Sequence, residues 1–194
     1  MNREKFSQEL GDDSEKNFFI ISQYKGYKPV KANNSQNKYE HWDVKIFKNK
    51  WIRVDVKAPK DNRFDITYLE IIGITGKDGW LLGQADYIAF QQKDFFIYFK
   101  RKDLLAWFFL QVGLNSVTEI REIYDKIFNE EGKLLYNDWD LSYSNNDYFV
   151  ENKNNALYKL YSRNPWKGKP RHDVITMANI EDMKNDLKYW NYSL

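Results

Sequence analysis

The chain contains no cysteine. That absence excludes disulfides, thiolate zinc sites and cysteine nucleophiles together. Histidine is almost missing: His41 and His172 stand far apart in sequence, so a histidine-based zinc site is not expected. No apolar run approaches the roughly 18 residues a membrane-spanning helix needs, so no membrane partner is expected. The opening stretch MNREKFSQELGDDSEK is charged and has no apolar centre, which does not fit a signal peptide. A cytoplasmic location is the simplest expectation. An excess of one charge is lacking as well. Lys+Arg total 30 against 28 Asp+Glu, a net charge of +2, so any nucleic-acid surface has to be a local patch.

Aromatic residues, by contrast, are abundant. They make up 18% of the chain, with 14 Tyr, 13 Phe and 7 Trp, enough for a core and for a cleft besides. A hydrophobic fraction of 42% is too high for a disordered chain. The 194 residues suit one domain with an elaboration, a core over about 11–113 and an α+β addition over about 114–194.

Periodicity predicts the order of elements. GDDSEKNFFIISQYKGY reads as a helix capped by Asp12 or Asp13 and ended by Gly26. YKPVKA reads as an edge strand, because Pro29 suits an edge, and residues 33–38 as a polar loop. HWDVKIFK and WIRVDVK alternate, with Val44, Ile46, Val54 and Val56 inward and Asp43, Lys45, Asp55 and Lys57 outward. Asn49-Lys50 joins them as a hairpin. FDITYLEIIGI is a third β-rich run, WLLGQADYIAF is ambiguous, DFFIYFKR is a strand, and KDLLAWFFLQV is a helix closed by Gly113. Beyond it, SVTEIREIYDKIFNEEG reads as an amphipathic helix, residues 136–155 as polar and irregular, ALYKLYSRN and DVITMAN as strands, and IEDMKNDLKYW as a closing helix.

The hairpin carries Asp-Val-Lys twice, at 43–45 and 55–57, although aspartate is disfavoured in strands. Paired antiparallel, the strands bring Asp43 and Asp55 together on one face. Two carboxylates so close repel unless a cation stands between them, and an oxygen-only ligand set suits Mg²⁺ or Mn²⁺. Lys57 points to the same face as Asp55, where an ammonium can orient a water or steady the charge of a phosphate under attack. Such a set of groups suits phosphodiester hydrolysis.

Asp43 followed by Asp55-Val56-Lys57 on the next strand resembles the PD-(D/E)xK nuclease superfamily, and Glu15 matches that family's helix acid. The motif-bearing likeness covers roughly residues 11–101, with Trp42 where the family often has proline. GWLLGQADYIAF and RHDVITMANIEDM resemble segments of small phage-encoded members, which would place the chain in a host cytoplasm. The resemblance implies a restriction-endonuclease-like α/β fold, a central mixed sheet flanked by helices. It also implies an Mg²⁺- or Mn²⁺-dependent nuclease acting on DNA rather than RNA. Asp43, Asp55, the Val56 carbonyl and Glu15 would be metal ligands and Lys57 the residue that positions water. A homodimer stays open. The alternatives are a non-catalytic nucleic-acid- or protein-binding module on the same fold, and a glycosidase with an aromatic cleft.

Other acid-x-Lys triplets, Glu131-Lys133, Glu151-Lys153, Asp182-Lys184 and Asp186-Lys188, lack a preceding acid-bearing strand. Asp43-Lys45 is a rival, but no acid lies between Glu15 and Glu40 to complete a site around it. Glu15 stands three residues after Asp12, so a capping role competes with a catalytic one. Lys45 reads as a solvated strand lysine, Glu70 as a surface acid or third ligand, and Gln84 and Asp86 as turn formers. Neither His172-Asp173 nor GITGKDG matches a known catalytic or phosphate-binding pattern. Residues 159–173 gather Lys159, Arg163, Lys167, Lys169 and Arg171 around Trp166 in a turn-rich segment, suited to phosphates and an unpaired base.

Overall fold

The structure, a computed structural model, describes residues 3–59, 63–73, 75–127, 141–144, 147–150, 158, 160–163 and 173–193. Among them no helix is long and apolar enough to cross a membrane. In chain order the elements begin with α1 (Arg3–Tyr24), β1 (Lys28–Lys31), β2 (Val44–Phe47), β3 (Trp51–Lys57), β4 (Ile66–Ile72) and β5 (Tyr87–Gln91). They continue with β6 (Phe95–Lys100), α2 (Arg101–Val112), α3 (Val117–Ile127), β7 (Leu141–Ser144) and β8 (Asp147–Val150). The last are β9 (Leu160–Arg163), β10 (Val174–Asn179), α4 (Ile180–Asp186) and β11 (Tyr189–Ser193). The fold is mixed α/β, with a central mixed sheet of six strands flanked by helices.

Contacts group the chain into two compact units that interleave in sequence. The first holds Met1–Thr67, Gly83–Leu104 and Asn179–Leu194; the second holds Tyr68–Leu82 and Leu105–Ala178. The six-stranded sheet of the first unit runs β1-β2-β3-β5-β6-β11. Only β3 and β5 pair in parallel; every other neighbour is antiparallel. β1 is the edge strand that Pro29 suggested, and the β2–β3 hairpin has the expected register, Val44 opposite Val54 and Ile46 opposite Ile52.

Helix α1 covers one face of this sheet. Phe18 and Ile21 bury against Val44, Ile46, Val54, Val56, Ala89 and Phe96. Phe18 meets Phe96 edge-on at 5.3 Å, the preferred geometry for two rings. The helix stops where Gly26 takes φ 74°, a left-handed conformation that costs glycine little. The Gly26 amide then bonds the Gln23 carbonyl and the Tyr27 amide the Ser22 carbonyl, closing the last turn. At its other end α1 departs from expectation. It begins at Arg3, so Asp12, Asp13 and Glu15 lie mid-helix and none of them caps it. A single glycine at position 11 costs only about 1 kcal/mol, and the helix formers around it carry the turn through.

The second unit contains a five-stranded sheet in the order β4-β10-β9-β8-β7. β4 therefore joins this sheet and not the central one. In α3 the buried residues Ile120 and Tyr124 share a face, and Arg121 donates to the Gly76 carbonyl at 2.7 Å and to Asp78 at 2.6 Å. Gly76 and Asp78 of GITGKDG are thus clamped to α3. Three further elements differ from the sequence reading. Residues 34–40 wind into a short helix, β7 and β8 form an antiparallel pair within the supposedly irregular segment, and the closing helix ends at Asp186 before strand β11.

Phe18→Ala is expected to destabilise the first unit by about 3–5 kcal/mol, through lost burial and an unfilled cavity. Gly26→Ala should cost about 1 kcal/mol. Urea unfolding followed by circular dichroism reads both. A Phe18→Ala loss no larger than that of Gly26→Ala would contradict the packing of α1 on the sheet.

Candidate functional site

Asp43 stands one residue before β2, where the chain turns out of the ladder. His41 has φ 53°, a left-handed conformation uncommon outside glycine. The Asp43 amide still donates to the Val54 carbonyl at 2.9 Å. Its carboxylate accepts the Val56 amide through Oδ2 at 2.6 Å and the Asn37 side-chain amide through Oδ1 at 2.5 Å. The strand-disfavoured aspartate therefore supplies the acceptor that a strand carbonyl would otherwise give. Asn37 is held in turn by the 34–40 helix. That helix opens with a reciprocal box in which the Gln36 amide donates to Asn33 Oδ1 and the Asn33 amide to Gln36 Oε1.

The regular hairpin register ends with Val44 opposite Val54; beyond it the Asp43 amide bonds the Val54 carbonyl and the Asp43 side chain lies along β3. The two carboxyl groups are close enough to share a proton. Contrary to the outward, solvent-facing expectation, both are buried, Asp43 to 7% exposure and Asp55 to 3%. The face opposite the helix-packed valines is covered too, as suits an inner strand of the sheet. Asp55 Oδ1 pairs with Lys57 Nζ at 2.8 Å, two residues apart on one strand face. Asp55 Oδ2 is buried and meets no hydrogen-bond donor. Burial, and then the neighbouring Asp43 charge, push the Asp55 carboxyl well above its ordinary range, and the Lys57 ammonium only partly opposes them.

Glu15 reaches the same place from α1. Its carboxyl is pushed up to about 7, first by burial and then by the charge of Asp43, while Lys31, 4.0 Å away, pulls it down. Next to it the Ser14 hydroxyl hydrogen-bonds Gln91 Oε1 at the end of β5, which fixes this turn of α1 over the sheet. The structure thus brings Asp43, Asp55 and Lys57 together, with Glu15 near enough for the charges of Asp43 and Lys57 to act on it. Reading the sequence missed Asn37, Lys31, Ser14 and Gln91. Only Asn37 had a signal, the Asn33-x-x-Gln36 spacing.

The remaining candidates go elsewhere. Arg53 binds the Asp86 carboxylate through its amide at 2.8 Å and Gln84 Oε1 through its guanidinium at 3.0 Å, so these two residues latch the start of β3 to the approach to β5. Glu70 belongs to the second unit, where Gly79 packs against its backbone. Lys45 lies over the Trp51 ring at 4.8 Å, a surface role as expected. Lys159, Trp166, Lys167, Lys169, Arg171 and His172 lie outside the described residues, as does the side chain of Arg163.

A divalent cation can be tested against this donor set. Among the described residues, no group of three or more His, Asp or Glu side chains closes on one point. Two carboxylates do meet, however. One of their oxygens is buried without a donor, and burial pushes the Asp55 carboxyl well above its ordinary range despite a nearby ammonium. Those are the marks of a place short of positive charge. Asp43 and Asp55 fit Mg²⁺ or Mn²⁺ as oxygen ligands, with the rest of the shell from water and backbone.

Glu15 and Asp55 both bind their protons more tightly folded than unfolded. Stability from such protons is complete below the unfolded value and is lost as pH rises through the folded one. For Glu15 that window runs from its ordinary 4.5 to about 7. Wild type is expected to lose stability over this interval relative to Glu15→Gln in chemical denaturation. A wild-type-minus-variant difference that stays flat with pH would contradict the burial of Glu15 beside Asp43.

Compared with protein-family models, with curated proteins and with solved structures, the chain shows no match.

Proposed function

We propose that the chain is a metal-dependent nuclease that hydrolyses phosphodiester bonds, in DNA by its resemblance to the PD-(D/E)xK superfamily. The observation that carries this reading is the Asp43–Asp55 pair, buried, short of positive charge and joined by Lys57 on the same strand face. Mg²⁺ or Mn²⁺ bound there supplies a Lewis acid for the phosphate and makes its bound water easier to ionise. Asp43 and Asp55 would hold the ion, with the Val56 carbonyl as a further ligand by the same resemblance. The Val56 amide, fixed on Asp43, anchors the Asp55–Val56 peptide beside the two acids. Lys57 lies at 25% exposure, open enough to reach a phosphate oxygen or orient the attacking water. Glu15, titrating at about 7, suits a group that takes a proton from water near neutral pH.

Asp55→Asn keeps the size of a side chain that already favours its neutral form, so the fold should survive. Cleavage should not. A loss of about 100-fold or more is expected for Asp55→Asn and for Lys57→Ala, and none for Lys45→Ala. Mg²⁺ should raise the melting temperature of wild type and leave that of Asp55→Asn unmoved. The assay uses linear, circular, single-stranded and branched DNA, and RNA, with and without Mg²⁺ or Mn²⁺. Absence of metal-dependent cleavage on every substrate would favour a non-catalytic binding module. Equal losses for Lys45→Ala and Lys57→Ala would mean that the wrong Asp-Val-Lys carries the chemistry.

A further inference from the structure

The first unit contains a pocket of about 190 Å³ walled by Tyr27, Tyr87, Tyr98, Trp190 and Tyr192, with Lys48 at its rim. Its walls are ordered by ring packing. Tyr98 stacks on Trp190 at 5.6 Å and 15°, and Tyr27 on Tyr192 at 6.2 Å and 8°. Tyr87 meets both Tyr98 and Trp190 edge-on. The floor comes from Ile46, Ile52 and Val54. These residues alternate with Asp55 and Lys57 along the hairpin, so the pocket opens on the face of β3 opposite the acid pair.

Size, polarity and charge restrict the occupant. The volume is below the roughly 300 Å³ at which pockets begin to take drug-sized ligands, so one flat ring system fills it. Among the described residues, no carboxylate or side-chain amide lines it, which disfavours a sugar that needs its hydroxyls bound. Among the described residues, the hydroxyls of Tyr27, Tyr87 and Tyr98 have no hydrogen-bond partner, whereas that of Tyr192 donates to Ser22. Three ammonium groups crown the rings: Lys48 over Tyr27 at 5.8 Å, Lys25 over Tyr192 at 5.6 Å and Lys188 over Trp190 at 5.4 Å. Among the described residues none of the three meets a carboxylate. A cationic ligand is thereby repelled and an anionic one attracted. A flat ring with hydrogen-bonding edges and an attached anion is a nucleotide.

We infer that this aromatic pocket binds a nucleotide, its base against the tyrosine and Trp190 walls and its phosphate on Lys48. A base held there is not the nucleotide under attack, because Asp55 and Lys57 occupy the other face. The shared chemistry, base plus phosphate, comes either from a free mononucleotide or from an unpaired nucleotide of a strand.

Calorimetric titration of the full chain in EDTA tests this without metal or cleavage. The probes are dAMP, dTMP, deoxyadenosine and a short single-stranded oligonucleotide. The nucleotides or the oligonucleotide should bind, and the nucleoside more weakly. Trp190→Leu should weaken binding by about fivefold or more, the lower end expected for one lost base stack. Lys48→Ala, a change in an exposed turn, should weaken the phosphate-bearing probes and not the nucleoside. Binding by mononucleotides identifies a free nucleotide as ligand; binding by the oligonucleotide alone identifies a strand. Asp55→Asn should bind as wild type does, so failure of the nuclease reading leaves this result standing. No binding by any probe, or binding unchanged in both Trp190→Leu and Lys48→Ala, overturns the inference.

Discussion

The carboxylate of Asp43 does the work of a strand carbonyl, and the geometry of the candidate site depends on that substitution. The Val56 amide is buried in the sheet interior, where leaving it unbonded would cost about 1–3 kcal/mol. Asp43 Oδ2 satisfies it. Because the acceptor is a side chain, the backbone before β2 is released from the ladder and turns away through His41 at φ 53°. That departure leaves room for the 34–40 helix, whose Asn37 holds the second carboxylate oxygen. A carboxylate clamped by two donors cannot swing away from its neighbour. Asp55, whose carboxyl meets it, must then coexist with a fixed acid in a nearly dry place.

Two effects compete at Asp55. A Lys57 ammonium 2.8 Å from Oδ1 favours the ionised form. Burial and the Asp43 charge favour the protonated form, and together they win, since the carboxyl ends up well above its ordinary range. One nearby cation is therefore not enough for two buried acids. Apolar residues of similar volume would serve stability better than such a cluster. Local rules broken without a local gain mark functional sites more often than structural ones. Glu15, pushed up to about 7 by the same surroundings, extends the deficit to the helix side.

How much of this was legible in the sequence follows from what each signal encodes. Strand alternation tells which residues share a face, so the meeting of the Asp43 and Asp55 carboxyl groups could be read. Alternation does not tell whether a face is covered, so the burial of Asp55 could not. Nor does it tell which sheet a strand joins, so the third β-rich run could be read as a strand but not as one of the other sheet, where β4 lies. The start of α1 was hidden because Asp12, Asp13 and Gly11 look like a cap, while mid-helix glycine costs too little to stop a strong helix former run. The 34–40 helix was hidden in polar residues, although Asn33 and Gln36 already had capping-box spacing. β7 and β8 flank Asn145-Asn146, a pair suited to a tight hairpin and overlooked within a polar run.

The β2–β3 hairpin gives its two faces opposite electrostatic demands. On one face, Ile52 and Val54 floor an aromatic pocket crowned by lysines that no carboxylate neutralises among the described residues. On the other, Asp55 and Lys57 belong to a cluster in which acids outnumber cations. On the proposed reading, a polyanion is attracted to the first face and needs a divalent ion before it can approach the second. Salt and metal then act on different steps. Monovalent salt screens exposed lysines over a Debye length of about 8–10 Å, so it weakens attraction to the pocket rim. The buried acid pair is screened much less, so its requirement is for a bound cation and not for ionic strength. On that reading, the alternation of side chains along a single strand would place binding and hydrolysis under separate ionic control.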